Sequence, residues 1–491
     1  MLNLNRYISA TLLFIFLFTS RTFAQIDTSY HLEVGVMPVF TSSTPNSQVP
    51  FWMRANQFGS VPLSGFSGSA FVKASKSYDH PDRLMDWGFS VEGRGNAGKN
   101  SNAQLIEGYL KGRLYIFQLK AGRSKDITGL VDSSLSIGSF AISGNALGVP
   151  KVELSIPDYW DIPGTNKIIA IKGNITHGWL GETRIKRYDR RFLYADAYYH
   201  ELAVYGRIGK PDWRVRLYGG VNHQVMWGGE DLIYRRFTLS GFDAFKHVVL
   251  GQNYKPAASK LGNQLGTIDQ AMEYETDNLV FKGYHQFFYD IGALYHLANL
   301  KDGLFGLTIR NKYPDDAFGW KKIVVEYFNS KSQAGERDAK VTPSGDEDYY
   351  NSYQYINGWE YEGMNLGNPL ITSRQYARKE LVARDHFMNN RVTAFNVAAQ
   401  GNIFDYNITA KVTYSRNFGT YATSPIGRSQ NGRFYKTRPP YFGEVGQFSG
   451  YVEVEREFGN NYHIGAAFAL DNGGLLYNSG GGFIRLSKVF L

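Results

Sequence analysis

The stretch WRVRLYGGVNHQVM, residues 213–226, decides the fold class. Its apolar or small residues and its polar residues alternate, which predicts a β-strand with two different faces. The first face carries Val215, Leu217, Gly219 and Val221, and the second carries Arg214, Arg216, Tyr218, Gly220, Asn222 and Gln224. In a soluble sheet the apolar face would cover a core. In a transmembrane barrel it faces lipid, and the polar face lines the lumen.

The same alternation recurs from one end of the chain to the other. A second strand is predicted at residues 202–208, and the turn at 209–212 joins it to the first because glycine and proline interrupt the pattern there. Further predicted strands contain Tyr115, Phe117, Leu119 and Ala121; Ile169, Ile171, Gly173 and Ile175; Ile408, Ala410, Val412 and Tyr414; and the segments 451–455 and 483–486. Strands separated by turns rich in Gly, Asn and Asp predict one continuous antiparallel sheet.

Three segments interrupt the strand pattern. Residues 130–163 are rich in Ser and Gly, residues 242–250 have helical spacing, and residues 333–348 form a charged loop. Long loops in a folded domain are usually functional or disordered. The first two segments favour a lumen that is plugged rather than open.

The N-terminus has the features of an export signal. Arg6 precedes a short apolar run at 12–18, and Thr22-Phe23-Ala24 resembles a cleavage site. We therefore predict removal of residues 1–24 and a mature chain, 25–491, that forms a single domain. The run is too short to span a bilayer comfortably as a helix, so an N-terminal anchor is the weaker alternative.

Composition agrees with an exported barrel. The chain has no cysteine, which excludes disulfides and thiolate zinc sites. Phe, Trp and Tyr make up 15% of its residues, and it has 53 glycines. Barrels use aromatic residues at both membrane interfaces and glycine where strands bend or pack closely. The formal charge of +9 falls to +7 without Arg6 and Arg21, which fits anionic glycan or lipopolysaccharide better than nucleic acid for an exported protein.

Motifs for catalysis and cofactor binding have little support. Residues 93–98 match G-x-G-x-x-G, but a predicted loop follows instead of the helix that a dinucleotide requires. The chain has no G-x-S-x-G and no H-E-x-x-H, and its ten histidines show no metal-ligand spacing. We predict no enzyme activity, no cofactor and no metal. A hydrolase with Ser and His on neighbouring strands stays open, because such sites are recognised by geometry rather than spacing.

A set of ordered segments carries a family resemblance. These are residues 50–59 (PFWMRANQFG), 144–150 (GNALGVP), 223–229 (HQVMWGG), 324–328 (VVEYF), 349–351 (YYN), 358–363 (GWEYEG) and 367–370 (GNPL). In this order they resemble the Wzi family of capsule-assembly proteins, in a form typical of Bacteroidetes-like sequences. The resemblance runs from about residue 30 to residue 491.

The resemblance implies a fold and a function. It implies an all-β transmembrane antiparallel barrel of about 18 strands in the outer membrane, with minor helices and long loops. It also implies a non-catalytic, lectin-like protein that binds and organises capsular or other surface polysaccharide at the cell surface. The expected partners are this polysaccharide, outer-membrane lipid and lipopolysaccharide, and the barrel-assembly machinery during insertion, with no nucleic acid. A diffusion channel for oligosaccharides or other solutes, a porin, is the alternative.

Within the resembling segments, several residue types suit sugar recognition. Trp and Tyr stack on a pyranose ring, and Arg, Asn and Glu bond to its hydroxyls and carboxylates. The candidate glycan-binding residues are Trp52, Arg54, Asn56, His223, Trp227, Trp359 and Tyr361. The alternative for each aromatic residue is a place in an interfacial belt.

Overall fold

The fold is seen in a computed structural model. It describes residues 30–42, 48–63, 65–80, 83–99, 101–255, 259–290, 299–334, 347–430 and 433–490. The predicted signal peptide, residues 1–24, lies outside the described residues, and so does the part of the predicted charged loop between 335 and 346.

The described chain forms one closed antiparallel barrel of 18 strands. The strands are β1 Tyr30–Thr41, β2 Ser67–Lys76, β3 Met85–Gly98, β4 Asn102–Leu114, β5 Phe117–Arg123, β6 Lys151–Asp161, β7 Ile169–Lys186, β8 Phe192–Ile208, β9 Val215–Trp227, β10 Asn263–Glu275, β11 Leu279–Asp290, β12 Gly303–Asn311, β13 Phe318–Asn329, β14 Val392–Ile403, β15 Tyr406–Asn417, β16 Val445–Phe458, β17 Tyr462–Gly473 and β18 Ser479–Val489. Each strand pairs with the next, and β18 pairs with β1 to close the sheet.

The connections between strands orient the barrel. An even number of strands places both ends of the barrel chain on the same side, together with short turns such as 115–116, 276–278 and 404–405. The long connections, 124–150, 228–262 and 330–391 among them, lie on the other side. Because outer-membrane barrels have short periplasmic turns and longer extracellular loops, we assign the long connections to the extracellular side.

Helices and small hairpins occur in the long loops. The helices are α1 Phe51–Arg54, α2 Glu230–Ile233, α3 Gly241–Val249 and a 3-10 turn at Tyr421–Thr423. Two-stranded hairpins or ribbons pair Asn253–Tyr254 with Ser259–Lys260, Glu360–Tyr361 with Met364–Asn365, Thr372–Ser373 with Phe387–Asn389, and Arg428–Gln430 with Arg433–Tyr435. Among the described residues no helix is long and apolar enough to span a bilayer.

The two faces predicted for residues 213–226 are confirmed. Val215, Leu217 and Val221 point outward and are 44–46% exposed. Asn222 and Gln224 point into the barrel and are almost completely buried. This reverses the pattern of a soluble protein, because the exposed face is the apolar one. It is the pattern of a barrel whose outer surface contacts lipid.

Two predicted boundaries were wrong, and one element was confirmed. The Ser/Gly-rich segment ends at Pro150 rather than at 163, because β6 begins at Lys151. Tyr115 lies in the turn between β4 and β5, with a positive φ, instead of in a strand. The helix predicted at 242–250 is present as α3, one residue earlier. Its N-cap is Ser240, whose hydroxyl accepts a hydrogen bond from the backbone N–H of Asp243.

The hydrophobic core lies inside the barrel. Extracellular loops fold back into the lumen and bury a set of large side chains against one another. Three segments supply the chain that fills it, residues 48–63, 124–150 and 347–391, and we call their inward-folded parts the plug. The largest fully buried plug side chains are Trp52, Met53, Phe140, Tyr349, Tyr350, Tyr355, Trp359 and Phe387.

Candidate functional site

A belt of polar wall side chains fastens the plug to one half of the barrel. The belt consists of Asp269 on β10, Gln286 on β11, Glu326 on β13, Asn396 on β14, Thr413 on β15 and Asp471 on β17. Asp269 accepts a bond from the Leu130 N–H at 2.8 Å, and Asp471 accepts one from the Phe51 N–H at 2.8 Å. These carboxylates satisfy backbone donors that would otherwise be buried without partners.

Glu326 has the most bonds in this belt. Its carboxylate accepts from the Ser136 hydroxyl at 2.6 Å, the Ile137 N–H at 2.7 Å and the Tyr284 hydroxyl at 2.6 Å. Tyr284 reaches it from β11 by crossing over Gly306 on β12. A Cβ atom at Gly306 would lie 2.1 Å from the tyrosine ring, so only glycine permits this crossing.

A second set of contacts reaches the other half of the wall. Asp126 accepts bonds from the Lys151 ammonium at 2.6 Å and from the Ser124 hydroxyl at 2.9 Å. Burial alone would raise the pKa of Asp126, but the charges of Lys151 and Lys120 outweigh it and hold the pKa below its ordinary value. Asp126 is therefore a fixed anion that holds the start of segment 124–150 against β5 and β6.

Aromatic side chains join the plug segments to one another through their polar ends. The Trp359 indole N–H donates to the Ala141 carbonyl at 2.8 Å, and the Tyr355 hydroxyl donates to the Gly228 carbonyl at 2.9 Å. The Tyr350 hydroxyl donates to the Phe140 carbonyl and accepts from the Asn368 N–H at 2.8 Å. Each residue combines a buried ring with a satisfied polar group, which makes the plug rigid.

Five of the predicted glycan-binding residues lie in this plug, with four of the side chains buried. The Trp52 indole donates to the Thr413 hydroxyl at 3.1 Å, and the Arg54 guanidinium lies 4.1 Å from the centre of the Tyr376 ring. Burial lowers the pKa of Arg54 from its ordinary value. The remaining three are half-buried Asn56, which donates to the Ser136 carbonyl at 3.3 Å, fully buried Trp359, and Tyr361, which accepts from Arg123 at 2.8 Å.

The other two predicted residues are elsewhere. His223 and Trp227 point outward from β9. Helix α3 and its flanking residues cover the side chain of Trp227. His223 bonds through Nδ1 to the Tyr289 hydroxyl at 2.8 Å. The structure therefore does not bring the seven residues into one site.

The extracellular surface above the plug is basic. We call it the basic loop surface and define it by Arg374, Arg378, Lys379, Arg384, Lys436, Arg438, Tyr441 and Tyr477. None of these cations has an ion pair with a described residue. Within residues 372–386 and 436–444 the six cations face three carboxylates, Glu380, Asp385 and Glu444, and Glu444 is paired with Arg416 at 2.6 Å.

Three loops are fastened together beneath this surface. The Arg378 guanidinium donates to the carbonyls of Leu476 at 2.9 Å and Gly473 at 2.8 Å. The Arg384 guanidinium donates to the Arg438 carbonyl and to the Pro440 carbonyl at 3.3 Å. These two arginines position the loops, while the Lys379 ammonium and the Arg438 guanidinium have no partner among the described side chains.

The comparisons with known proteins agree with this architecture. The family model described as "Capsule assembly protein Wzi" matches residues 41–395. The chain belongs to the Wzi family. As a member of this family it is an outer-membrane β-barrel, and the match includes the plug and residues 374–384 of the basic loop surface.

Similar solved structures include Wzi from Escherichia coli, described as an outer-membrane protein involved in group 1 capsule assembly and as a carbohydrate-binding β-barrel, which shows the same fold as this Wzi-family chain. Its TM-score is 0.52 at 10% identity, over 94% of this chain and 85% of that one. OccAB2 from Acinetobacter baumannii has a TM-score of 0.45 at 10% identity, over 95% and 99% of the chains. OpdK from Pseudomonas aeruginosa has 0.43 at 9% identity, over 95% and 100%.

No curated protein matches the sequence of this Wzi-family chain. Within the described ranges, no group of three or more His, Asp or Glu side chains could hold a metal ion. The glycines at 93–98 lie inside strand β3, and the next element is strand β4, which begins at Asn102.

The basic loop surface was missed at the level of sequence. The signal was present as TSRQYARKELVARD, residues 372–385, in which cations recur around a tyrosine. The choice of candidate residues from the sequence favoured aromatic residues instead, because stacking on sugars is the better-known contact. A run of cations in a long segment between predicted strands is the feature that would have located it.

Proposed function

We propose that this protein binds surface polysaccharide on its extracellular side and organises it there without making or breaking bonds. One observation carries the proposal: the plug occupies the lumen and is bonded around the wall, while cations without an ion pair to any described residue are displayed above it. A barrel built in this way presents a rigid surface rather than an open path for solutes through its lumen.

The family assignment and the named relative support the same function. The family is named for capsule assembly, and the Escherichia coli structure is described as a carbohydrate-binding barrel. The basic loop surface supplies suitable chemistry, because cations pair with sugar carboxylates and Tyr441 and Tyr477 offer rings for stacking. We propose an acidic polysaccharide as the substrate class.

The residues of the plug have a supporting role in this proposal. Trp52, Arg54, Asn56, Trp359 and Tyr361 hold the loops from below and thereby keep the binding surface in place. Residues 25–491 are proposed to be the single mature domain after cleavage near Ala24. The barrel-assembly machinery inserts it, and outer-membrane lipid and lipopolysaccharide surround it.

The test is binding of the detergent-purified mature protein to the surface polysaccharide of its source strain. The variant K379Q/R438Q removes two exposed cations that have no ion pair in the described part of the chain, and it is expected to bind about tenfold more weakly, with the difference shrinking as salt rises. The matched control is K167Q/K210Q, which removes two cations from the periplasmic turns. Heat-modifiable migration of each variant reports that the barrel is intact.

Two results would count against the proposal. Absence of saturable binding by the wild-type protein would remove polysaccharide binding. Conductance steps in planar bilayers would instead favour a diffusion channel. In cells, a deletion strain is expected to synthesise its polysaccharide normally and to release it into the medium.

A further inference from the structure

Helix α3 lies on the outside of the barrel wall, although most of the long loops fold inward. Its residues Ala244 and Val248 are buried against outward-facing Val225 and Trp227 of β9. The Phe245 ring lies 5.3 Å from the His177 ring and 6.1 Å from the Trp227 ring. The loop 228–262 therefore packs a helix onto the surface that faces the membrane.

The wall beneath α3 is polar, unlike the wall nearer the periplasm. His177, His200, His223 and Gln264 occupy outward positions on β7 to β10. Nδ1 of His177, Nε2 of His223 and the Trp227 indole nitrogen are buried with no hydrogen-bond partner among the described residues. Such groups are incompatible with hydrocarbon, so this level of the wall lies in the headgroup layer.

The boundary of the hydrocarbon layer can be read from the same strands. Val204 on β8 and Val221 on β9 pair with each other two residues closer to the periplasm than His223, and both are exposed. These apolar residues face acyl chains, and the histidines above them do not. Helix α3 is therefore placed where headgroups meet acyl chains.

The outer stripe of α3 suits that depth. Phe242, Lys246 and Leu250 recur every fourth residue on the side away from the wall, with Phe242 69% and Leu250 64% exposed. Apolar side chains next to a lysine are the pattern of a helix that lies in a membrane interface. The Lys246 ammonium lies 2.9 Å from the Asp243 carboxylate on the same helix, so contacts to phosphates are left to cations outside the helix.

Further cations surround this helix. Arg235, Arg236 and Lys255 are exposed, and none has an ion pair within the described part of the chain. The Tyr254 hydroxyl holds the backbone beside them, because it donates to the Arg236 carbonyl at 3.2 Å and accepts from the Thr238 N–H at 2.9 Å. The cations are thus displayed from a fixed backbone at headgroup level.

We propose that α3 and the flanking residues Arg235, Arg236 and Lys255 form a binding site for the phosphorylated headgroup of an outer-leaflet lipid, the lipid A part of lipopolysaccharide. Phe242 and Leu250 contact its acyl chains, and the cations contact its phosphates. The inference rests on the proposed lipid partner and is independent of polysaccharide binding at the basic loop surface.

The test measures binding of lipid A to the full mature protein in nanodiscs made of neutral phospholipid. R235Q/R236Q is expected to bind about thirtyfold more weakly than wild type, and R235K/R236K to retain most of the affinity. K167Q/K210Q, which changes two cations at the opposite end of the barrel, is expected to match wild type. Removing the phosphates from lipid A is expected to weaken binding to wild type, and inorganic phosphate alone is expected not to compete.

Equal binding of lipid A by R235Q/R236Q and wild type would overturn the proposal. Equal binding of lipid A with and without its phosphates would also overturn it. Polysaccharide binding is measured on the same samples and is expected to be unchanged by R235Q/R236Q. Loss of lipid binding with polysaccharide binding intact then separates this site from the proposed function.

Discussion

The plug and the basic loop surface come from the same stretch of chain, yet they use opposite chemistry. Trp359 is completely buried and donates to a backbone carbonyl of another loop. Lys379, twenty residues further along, is exposed and has no ion pair with the residues that the structure describes. The difference fits the proposed division of labour, in which neutral aromatic residues with one satisfied polar group hold the loops and the exposed cations are available to the ligand.

The same difference predicts which residues contribute to the free energy of folding and which contribute to the free energy of binding. Plug residues contribute to the stability of the loops, so their removal is expected to affect many properties together. Residues of the basic loop surface contribute to affinity and little to stability. Variants in the two regions can therefore confirm or contradict the division.

The largest effect is expected for Trp359→Ala. Truncating a fully buried tryptophan leaves a cavity and an unpaired Ala141 carbonyl, and it costs about 3–5 kcal/mol. We expect faster hydrogen exchange at residues 137–143 and conductance steps that wild type lacks. Trp179→Ala is the control, because Trp179 is 46% exposed on the outer wall. Unchanged exchange in Trp359→Ala would contradict the assignment of this residue to the plug.

The second effect depends on pH. Burial raises the pKa of Asp302 to about 6 from its ordinary value of 3.8, although the N–H groups of Ser332 and Gln333 and the Tyr349 hydroxyl bond to it and Arg391 is near. The folded state therefore binds the proton of the Asp302 carboxyl group more tightly than the unfolded state does. The stabilisation from the contact of Asp302 with residues 332–333 and Tyr349 falls by about 3 kcal/mol as the pH rises from about 4 to about 6. Above about pH 6 it is constant.

Hydrogen exchange of the Ser332 and Gln333 amides between pH 4 and 7, corrected for the intrinsic rate, measures this change. Asp302→Asn is expected to remove the pH dependence. A profile of equal slope in wild type and Asp302→Asn would assign the dependence to another group.

A smaller effect is expected for Glu326→Gln. The amide keeps the shape of the side chain but replaces an acceptor with a donor opposite the Ser136 hydroxyl or the Ile137 N–H. The loss of one buried bond costs about 1–3 kcal/mol. Limited proteolysis within residues 124–150 reports the loosening. Glu362→Gln, at an exposed loop position, is the control and is expected to behave as wild type.

Much of the fold could be predicted from the sequence. The alternation at 213–226 gave the correct two faces, because a strand exposed to lipid on one side keeps a strict period of two. The start of β6 was missed because its first polar residues, Lys151, Glu153 and Ser155, directly follow the Ser/Gly-rich loop. Only single apolar residues separate them. Helix α3 was predicted from its spacing, but its place outside the wall follows from packing that periodicity does not contain.

The candidate site could be predicted less well. Trp52 and Trp359 were chosen for their chemistry, and a sequence does not show whether an aromatic loop residue faces solvent or folds into a lumen. The partners that decide it, Thr413 and Ala141, lie far away along the chain. In a barrel the polar wall belt and the loops meet only after closure, so the burial of these side chains depends on contacts between distant segments.

The smallest predicted effect concerns Tyr477 and tests what the aromatic residues of the basic loop surface do. Its ring lies 5.4 Å from the Arg378 guanidinium, and its hydroxyl accepts from the Lys379 N–H at 3.1 Å. If the ring is a stacking platform for sugar, Tyr477→Ala weakens polysaccharide binding by about 1 kcal/mol, or about fivefold, and Tyr477→Phe retains most of the affinity. If the hydroxyl matters through the position of Lys379, both variants lose affinity alike. Isothermal titration with the source-strain polysaccharide distinguishes the two, and an unchanged affinity in Tyr477→Ala would restrict recognition to the cations.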